Sequence, residues 1–366
     1  MSEQVGSGVE RRSGCALALG LLSLLLAGAL LFAWLSFGLS LWSGALALGT
    51  LAFALGVLTA GARPALSSRA LAASTVLLLG PCLLRIAIVQ GDSQTQLTTL
   101  PADSGPRLLS RIFPEPDGTL AAAGLLQRRG SLRDPESTRF AEILAQAYAR
   151  TTPNAAFMPT PAIATYLGQQ SPSAFDTIVI RPPERRVAPD GAVVLLHGYA
   201  GSFYVYCWEM AQAASGANLL TLCPATGPSG SWWDEDGAEI VRQTLDYAHG
   251  IGMNRVYLAG LSNGAAGASV LGHKLQRRLA GLVLVSGGRA ETPPALPVLL
   301  IQGERDTMMS ASHARAYASR GPQVTYRELP GGHFIFLSDT NRVRPLITDF
   351  LFELEKKATA LPRRQR

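Results

Sequence analysis

Residues 255–275 read RVYLAGLSNGAAGASVLGHKL, and two patterns meet at Ser262. The run RVYLAG is apolar and strand-like, while NGAAGASVLGHKL has the small and apolar residues of a helix. The serine between Gly260 and Gly264 therefore stands at a strand-to-helix turn. With 37 glycines in the chain, a lone G-x-S-x-G arises by chance, so its surroundings must decide. The spacing is not G-x-G-x-x-G, and no Lys followed by Ser or Thr completes a phosphate loop. A nucleophile elbow remains: a tight turn that lifts a serine hydroxyl and needs neighbours without bulk.

Outward from this turn, short apolar runs alternate with helical stretches. The runs are TIVI (177–180), AVVLLHG (192–198), NLLTLCP (218–224), GLVLVSG (281–287), PVLLIQG (297–303) and QVTYREL (323–329). Helical patterns fall near 204–216, 235–250, 263–278, 310–319 and 342–357. Apolar strands alternating with helices predict an α/β domain whose mostly parallel sheet is covered on both faces. No internal repeat or low-complexity tract is present.

A serine hydroxyl needs a base, and the chain has five histidines. His249 sits at a helix C-terminus, where capping accounts for it. His273 and His313 lie within helices, and His197 opens the loop HGYAG after a strand. His333, in the glycine-flexed loop LPGGHFIF after the last strand, is the base by elimination and by context. An orienting carboxylate is expected between serine and histidine. The turn GERDTMM offers Asp306, with Glu304 as substitute; Asp339 follows the histidine and breaks that order. The alternative role for Asp306 is the N-cap of the helix that follows.

The other end of the chain is different in kind. Residues 15–39 carry no charge, an uncharged run resumes over 41–60, and a third apolar stretch covers 70–89 with Pro81 and Arg85 inside it. Each is near the roughly 20 residues that cross a bilayer core. Trp34, Phe37 and Trp42 cluster at the first break, as an interfacial belt does. Arg85 is expected to reach for the interface. Three spans are expected, with two as the alternative. Arg11, Arg12, Arg63 and Arg69, held cytoplasmic, place everything after residue 90 on the other side of the membrane. A cleaved signal peptide does not explain three apolar stretches.

The net charge of +6 is scattered except for Lys356, Lys357, Arg363, Arg364 and Arg366. No aromatic–basic platform accompanies it, so nucleic acid is not an expected partner; that tail is solvated charge, with anionic lipid as a contact. Four cysteines lack metal-site spacing, and no metal or other cofactor is expected. Cys207 and Cys223 are read as a reduced, buried pair that joins only in an oxidising compartment. Residues 91–118 read as a linker rich in Gly, Pro, Asp, Ser and Thr. A helix follows with Asp134 as N-cap and Pro135 at its first position. The expected organisation is a membrane region (1–90), a linker and accessory helical segment (91–175) and a catalytic domain (176–360). The part played by residues 119–175 is left open.

With these pieces in order, the chain resembles the α/β-hydrolase fold family over residues 175–358. HGYAG matches its oxyanion loop, GLSNG its elbow, GERD its acid turn and GGH its base loop. The resemblance is nearest to compact carboxylesterases, acyl-thioesterases and dienelactone hydrolases, since RAETPPAL leaves no room for an inserted cap. It implies that the backbone N–H groups of Tyr199 and Asn263 hold an oxyanion. It also implies that Trp232 and Trp233, in GPSGSWWDEDG, line a substrate pocket or else pack internally. The implied activity is hydrolysis of a carboxylic, lipid or thio-ester by Ser262, His333 and Asp306. A serine peptidase and a catalytically silent binding protein of the same fold are the alternatives.

Overall fold

The computed structural model describes the backbone of residues 3–60, 62–151, 155–184 and 187–360. Arg363, Arg364 and Arg366 of the basic tail lie outside the described residues. The chain forms two compact units, Met1–Ile88 with Ile112–Gly124, and Val89–Arg111 with Leu125–Arg366.

The first unit contains three long helices, α1 (Glu3–Phe37), α2 (Leu41–Thr59) and α3 (Pro64–Ile88), all long and apolar enough to cross a membrane. Small residues let them approach closely: a side chain at Gly49 would strike Leu78, and one at Gly56 would strike Leu71. The third helix continues through Pro81. Arg85 stands beside Trp42, one of the aromatics expected at the interface. It is 1% exposed, with its guanidinium 5.6 Å from the centroid of the Trp42 ring. At the turn between α1 and α2, Asp117 accepts the main-chain N–H of Ser40 and the hydroxyls of Ser40 and Ser43.

The second unit is built on eight strands. These are β1 (Thr95–Leu100), β2 (Phe175–Ile180), β3 (Gly191–Leu196), β4 (Leu220–Pro224), β5 (Arg255–Leu261), β6 (Gly281–Val285), β7 (Val298–Gly303) and β8 (Val324–Leu329). Their order is β1-β2-β4-β3-β5-β6-β7-β8. The pairs β1–β2 and β2–β4 are antiparallel and the others parallel. Alternate strand residues Ala192, Val194, Leu222, Leu258 and Leu284 pack with Ile240, Val241, Ala268 and Leu271 from helices Glu235–Gly250 and Asn263–Lys274. On the opposite face lie helices Tyr204–Gly216 and Thr340–Ala360, which pack on one another. Burial on both faces explains why the central strands read as unbroken apolar runs.

Three readings are corrected here. Thr95–Leu100, inside the expected linker, is a strand paired with β2 from Thr95↔Ile180 to Leu100↔Phe175. The helix expected from Pro135 begins as a helix only at Phe140, after a tight turn at Ser137–Arg139. Asp134 still serves a local turn, accepting the Glu136 N–H at 2.9 Å. Cys207 and Cys223 are joined in a disulfide, with Cα atoms 6.0 Å apart. Cys223 points from β4 towards the helix that carries Cys207, which brings the two thiols together.

Candidate active site

The strand β5 ends at Leu261 and the next helix begins at Asn263, leaving Ser262 alone on the turn. Its φ of 56° and ψ of −119° belong to a region that glycine tolerates and serine does not favour. The turn is closed by the Ser262 N–H donating to Val285 O at 3.0 Å. Both flanking glycines are required by contact. A Cβ at Gly260 would collide with the Gly264 carbonyl, and one at Gly264 with the Leu196 carbonyl.

The structure brings Ser262, His333 and Asp306 together from three separate loops. His333 Nε2 lies 2.9 Å from Ser262 Oγ, and His333 Nδ1 lies 2.9 Å from Asp306 Oδ2. His333 and Asp306 are each 5% exposed. Asp306 Oδ1 accepts the N–H groups of Met308 and Met309 at 2.9 and 2.8 Å within its own turn, while the N-cap of the helix that follows is Ser310. Its Oδ2 accepts a second bond, from Gln302 Nε2 at 2.8 Å. A carboxylate held by this many donors is fixed in direction. The acid and base loops are laced together by main-chain bonds from Glu304 to Leu329 O and from Arg305 to Gly331 O, both 2.9 Å. Glu304, the substitute acid, instead faces solvent beside Arg305.

The loop after β3 runs against the serine, since a Cβ at Gly198 would stand 3.1 Å from Ser262 Cβ. Tyr199 follows Gly198 directly in this loop and is 75% exposed. Asn263 opens its helix, so its N–H has no intrahelical acceptor. The Asn263 side chain turns away to donate to Ser229 O at 2.8 Å. His197 stabilises the same loop. Its Nε2 accepts the Thr226 N–H at 3.1 Å, so Nδ1 carries the proton and donates to Gly198 O at 2.7 Å. Burial pushes its pKa down to about 4, and the ring is neutral.

The two tryptophans of GPSGSWWDEDG have different surroundings. Trp232 is fully buried, with its indole N–H donating to His197 O at 2.8 Å and its body under Gly267. It is a packing residue. Trp233 lies 4.3 Å beneath the Arg289 guanidinium and borders a depression of about 440 Å³ with Ala238, Arg242, Leu271 and Lys274. Leu271 is nine residues along the helix from Ser262, about 13 Å by helical rise. Nearer the site, a cavity of about 310 Å³ is lined by Gly287, Gly288, Arg289, Gln302, Met308 and Met309. Two residues of the site escape the sequence reading. Gln302 lies inside an apolar strand run, and Asp134 accepts the main-chain N–H of His333 at 2.9 Å.

The strand order, the antiparallel second strand and the serine turn after β5 make this an α/β-hydrolase fold, preceded by three long apolar helices. No family model and no curated protein matches the chain. Among solved structures, a thermostable esterase is similar at 18% identity and a TM-score of 0.41, over 49% of this chain and 59% of that one. Est1E from Butyrivibrio proteoclasticus is similar at 12% identity and a TM-score of 0.44, over 50% of this chain and 94% of that one. FphF, a fluorophosphonate-binding serine hydrolase of Staphylococcus aureus, is similar at 15% identity and a TM-score of 0.40, over 49% and 92%.

Proposed function

We propose that this protein is a membrane-anchored serine hydrolase that cleaves carboxylic esters through an acyl-enzyme on Ser262. The observation that carries this reading is the pair of 2.9 Å contacts at His333, to Ser262 Oγ on one nitrogen and to Asp306 Oδ2 on the other. The Ser262 oxygen attacks the ester carbonyl while His333 Nε2 takes its proton. Asp306 holds the tautomer that makes Nε2 the acceptor and stabilises the imidazolium. The N–H groups of Tyr199 and Asn263 receive the oxyanion, a contribution typically worth about 3 kcal/mol per donor. His333 then protonates the leaving alcohol, and water repeats the sequence to release the acid. The substrates proposed are small-molecule or lipid esters, thioesters included, met at the bilayer.

In this reading the three apolar helices cross the membrane and the catalytic unit lies on the non-cytoplasmic side. Three crossings put the residues after Ile88 on the same side as the α1–α2 turn, as the Asp117–Ser40 contact needs; two crossings would separate them. The Cys207–Cys223 disulfide supports an oxidising compartment. Labelling of intact protein with a fluorophosphonate tests the chemistry. We expect labelling of wild type and none of Ser262→Ala; an unlabelled wild type ends the hydrolase reading. Chromogenic esters of graded acyl length against peptide anilides then separate esterase from peptidase. Alkylation of unreduced membranes, blocked at Cys207 and Cys223 but not at the other cysteines, supports the orientation.

A further inference from the structure

We propose that Asp134 is a positioning residue, which seats the base from outside the sheet by accepting the main-chain N–H of His333. The assignment rests on the serine-hydrolase reading and adds a fourth residue to it.

The contact joins residues 199 positions apart and is buried. Asp134 itself is 6% exposed, and both of its oxygens are occupied by main-chain donors: Oδ2 by His333 N–H and Oδ1 by Glu136 N–H, each at 2.9 Å. The carboxylate cannot turn without stranding one of them. The sequence has cleared space for it. A Cβ at Gly332 would fall on Asp134 Oδ1 and within 2.9 Å of its Cγ. The surrounding segment holds both catalytic loops. Thr307, next to the acid, donates its hydroxyl to Arg133 O; Ser338 donates to Glu136 Oε1 at 3.0 Å; and Phe140 stacks on Phe334 with ring centroids 4.2 Å apart.

The chemical need is geometric. His333 must place two nitrogens at bonding distance from partners on opposite sides, so its Cα has little freedom. Two glycines precede it, and they supply no stiffness of their own. A main-chain anchor at the histidine fixes the depth of the ring, and a displacement of about 1 Å is enough to cost much of the rate. Two main-chain donors also need two acceptor oxygens. Asparagine offers one and turns an amino group toward the other N–H.

The test uses full-length protein in detergent, with active sites counted by fluorophosphonate titration and turnover measured on a chromogenic ester. Asp134→Asn and Asp134→Ala are expected to lower kcat per titrated site about 10- to 100-fold, with KM within about twofold. Gly332→Ala is expected to lower kcat similarly, and to cost little more in the Asp134→Ala background, where the collision is gone. Because turnover is counted per titrated site, an unfolded fraction does not enter the result. Wild-type kcat per site in both Asp134 variants, a loss carried by KM, or fully additive losses in the double variant would each overturn the assignment. An unlabelled wild type removes the hydrolase reading itself; a labelled wild type with unaffected variants removes only Asp134.

Discussion

Gln302 Nε2 donates at 2.8 Å to the same oxygen of Asp306 that receives the Nδ1–H of His333. The same amide nitrogen donates to Met309 O at 2.8 Å, and Gln302 is fully buried on β7. Asp306 is thus held from beneath by the strand and from within its own loop by Met308 and Met309.

Replacing Gln302 by leucine keeps the approximate volume and removes both bonds. Losing a donor to a buried carboxylate typically costs about 1–3 kcal/mol. We expect Gln302→Leu to lower kcat about tenfold with KM little changed. Gln302→Glu should be worse at neutral pH, because it sets a like charge beside Asp306. Steady-state kinetics on one ester decide this, and an unaltered kcat in Gln302→Leu would show that the loop alone holds the acid.

Ser262 adopts a backbone conformation that costs a non-glycine residue about 1–3 kcal/mol. Glycine loses about 0.5–1 kcal/mol through its freer unfolded chain. Ser262→Gly should therefore be inactive yet more stable, with the thermal midpoint raised by a few degrees. Thermal unfolding in detergent measures it. A lowered midpoint would mean that the serine's own contacts outweigh the strain.

His197 gives a pH dependence whose sign can be worked out. Its pKa lies at about 4 in the folded protein against 6.5 in the unfolded chain, because burial disfavours the charged ring. Between these values the unfolded chain binds more protons, so stability rises with pH. The contribution is complete above 6.5 and is lost as pH falls towards 4, at most about 3 kcal/mol. His197→Asn should flatten this part of the stability profile, whatever its absolute stability. Parallel slopes for the two proteins between pH 4 and 6.5 would refute it.

Where burial was two-sided, the local pattern was enough: TIVI, AVVLLHG and PVLLIQG all become strands of the sheet. The elbow was equally readable, because Gly260 meets Gly264 within the turn itself, although the carbonyl that demands Gly264 belongs to the distant Leu196. The strand TQLTTL was not, since its threonines give no apolar run and its stability comes from pairing with β2. Asp134 looked like a cap because capping is a local signal. Its bond to His333 depends on two segments that only the fold brings together. Trp232 was ambiguous for the same reason: a buried indole and a pocket indole read alike. The cysteine pair turned on which face of β4 Cys223 occupies, a question of packing.

The two units are interleaved along the chain. It passes from the helical unit to the sheet unit after Ile88, returns for Ile112–Gly124, and leaves again at Leu125. Asp117, at the α1–α2 turn, belongs to that returning stretch. A single proteolytic cut between α3 and β1 would therefore not divide the chain into its two units. The freed fragment would still carry residues 112–124, stripped of the helices they pack on. A cut beyond β1 would instead bare the edge of β2, whose unpaired main-chain groups invite aggregation. For this architecture, one cut after the third helix leaves the sheet whole but strands Ile112–Gly124 without the unit they belong to.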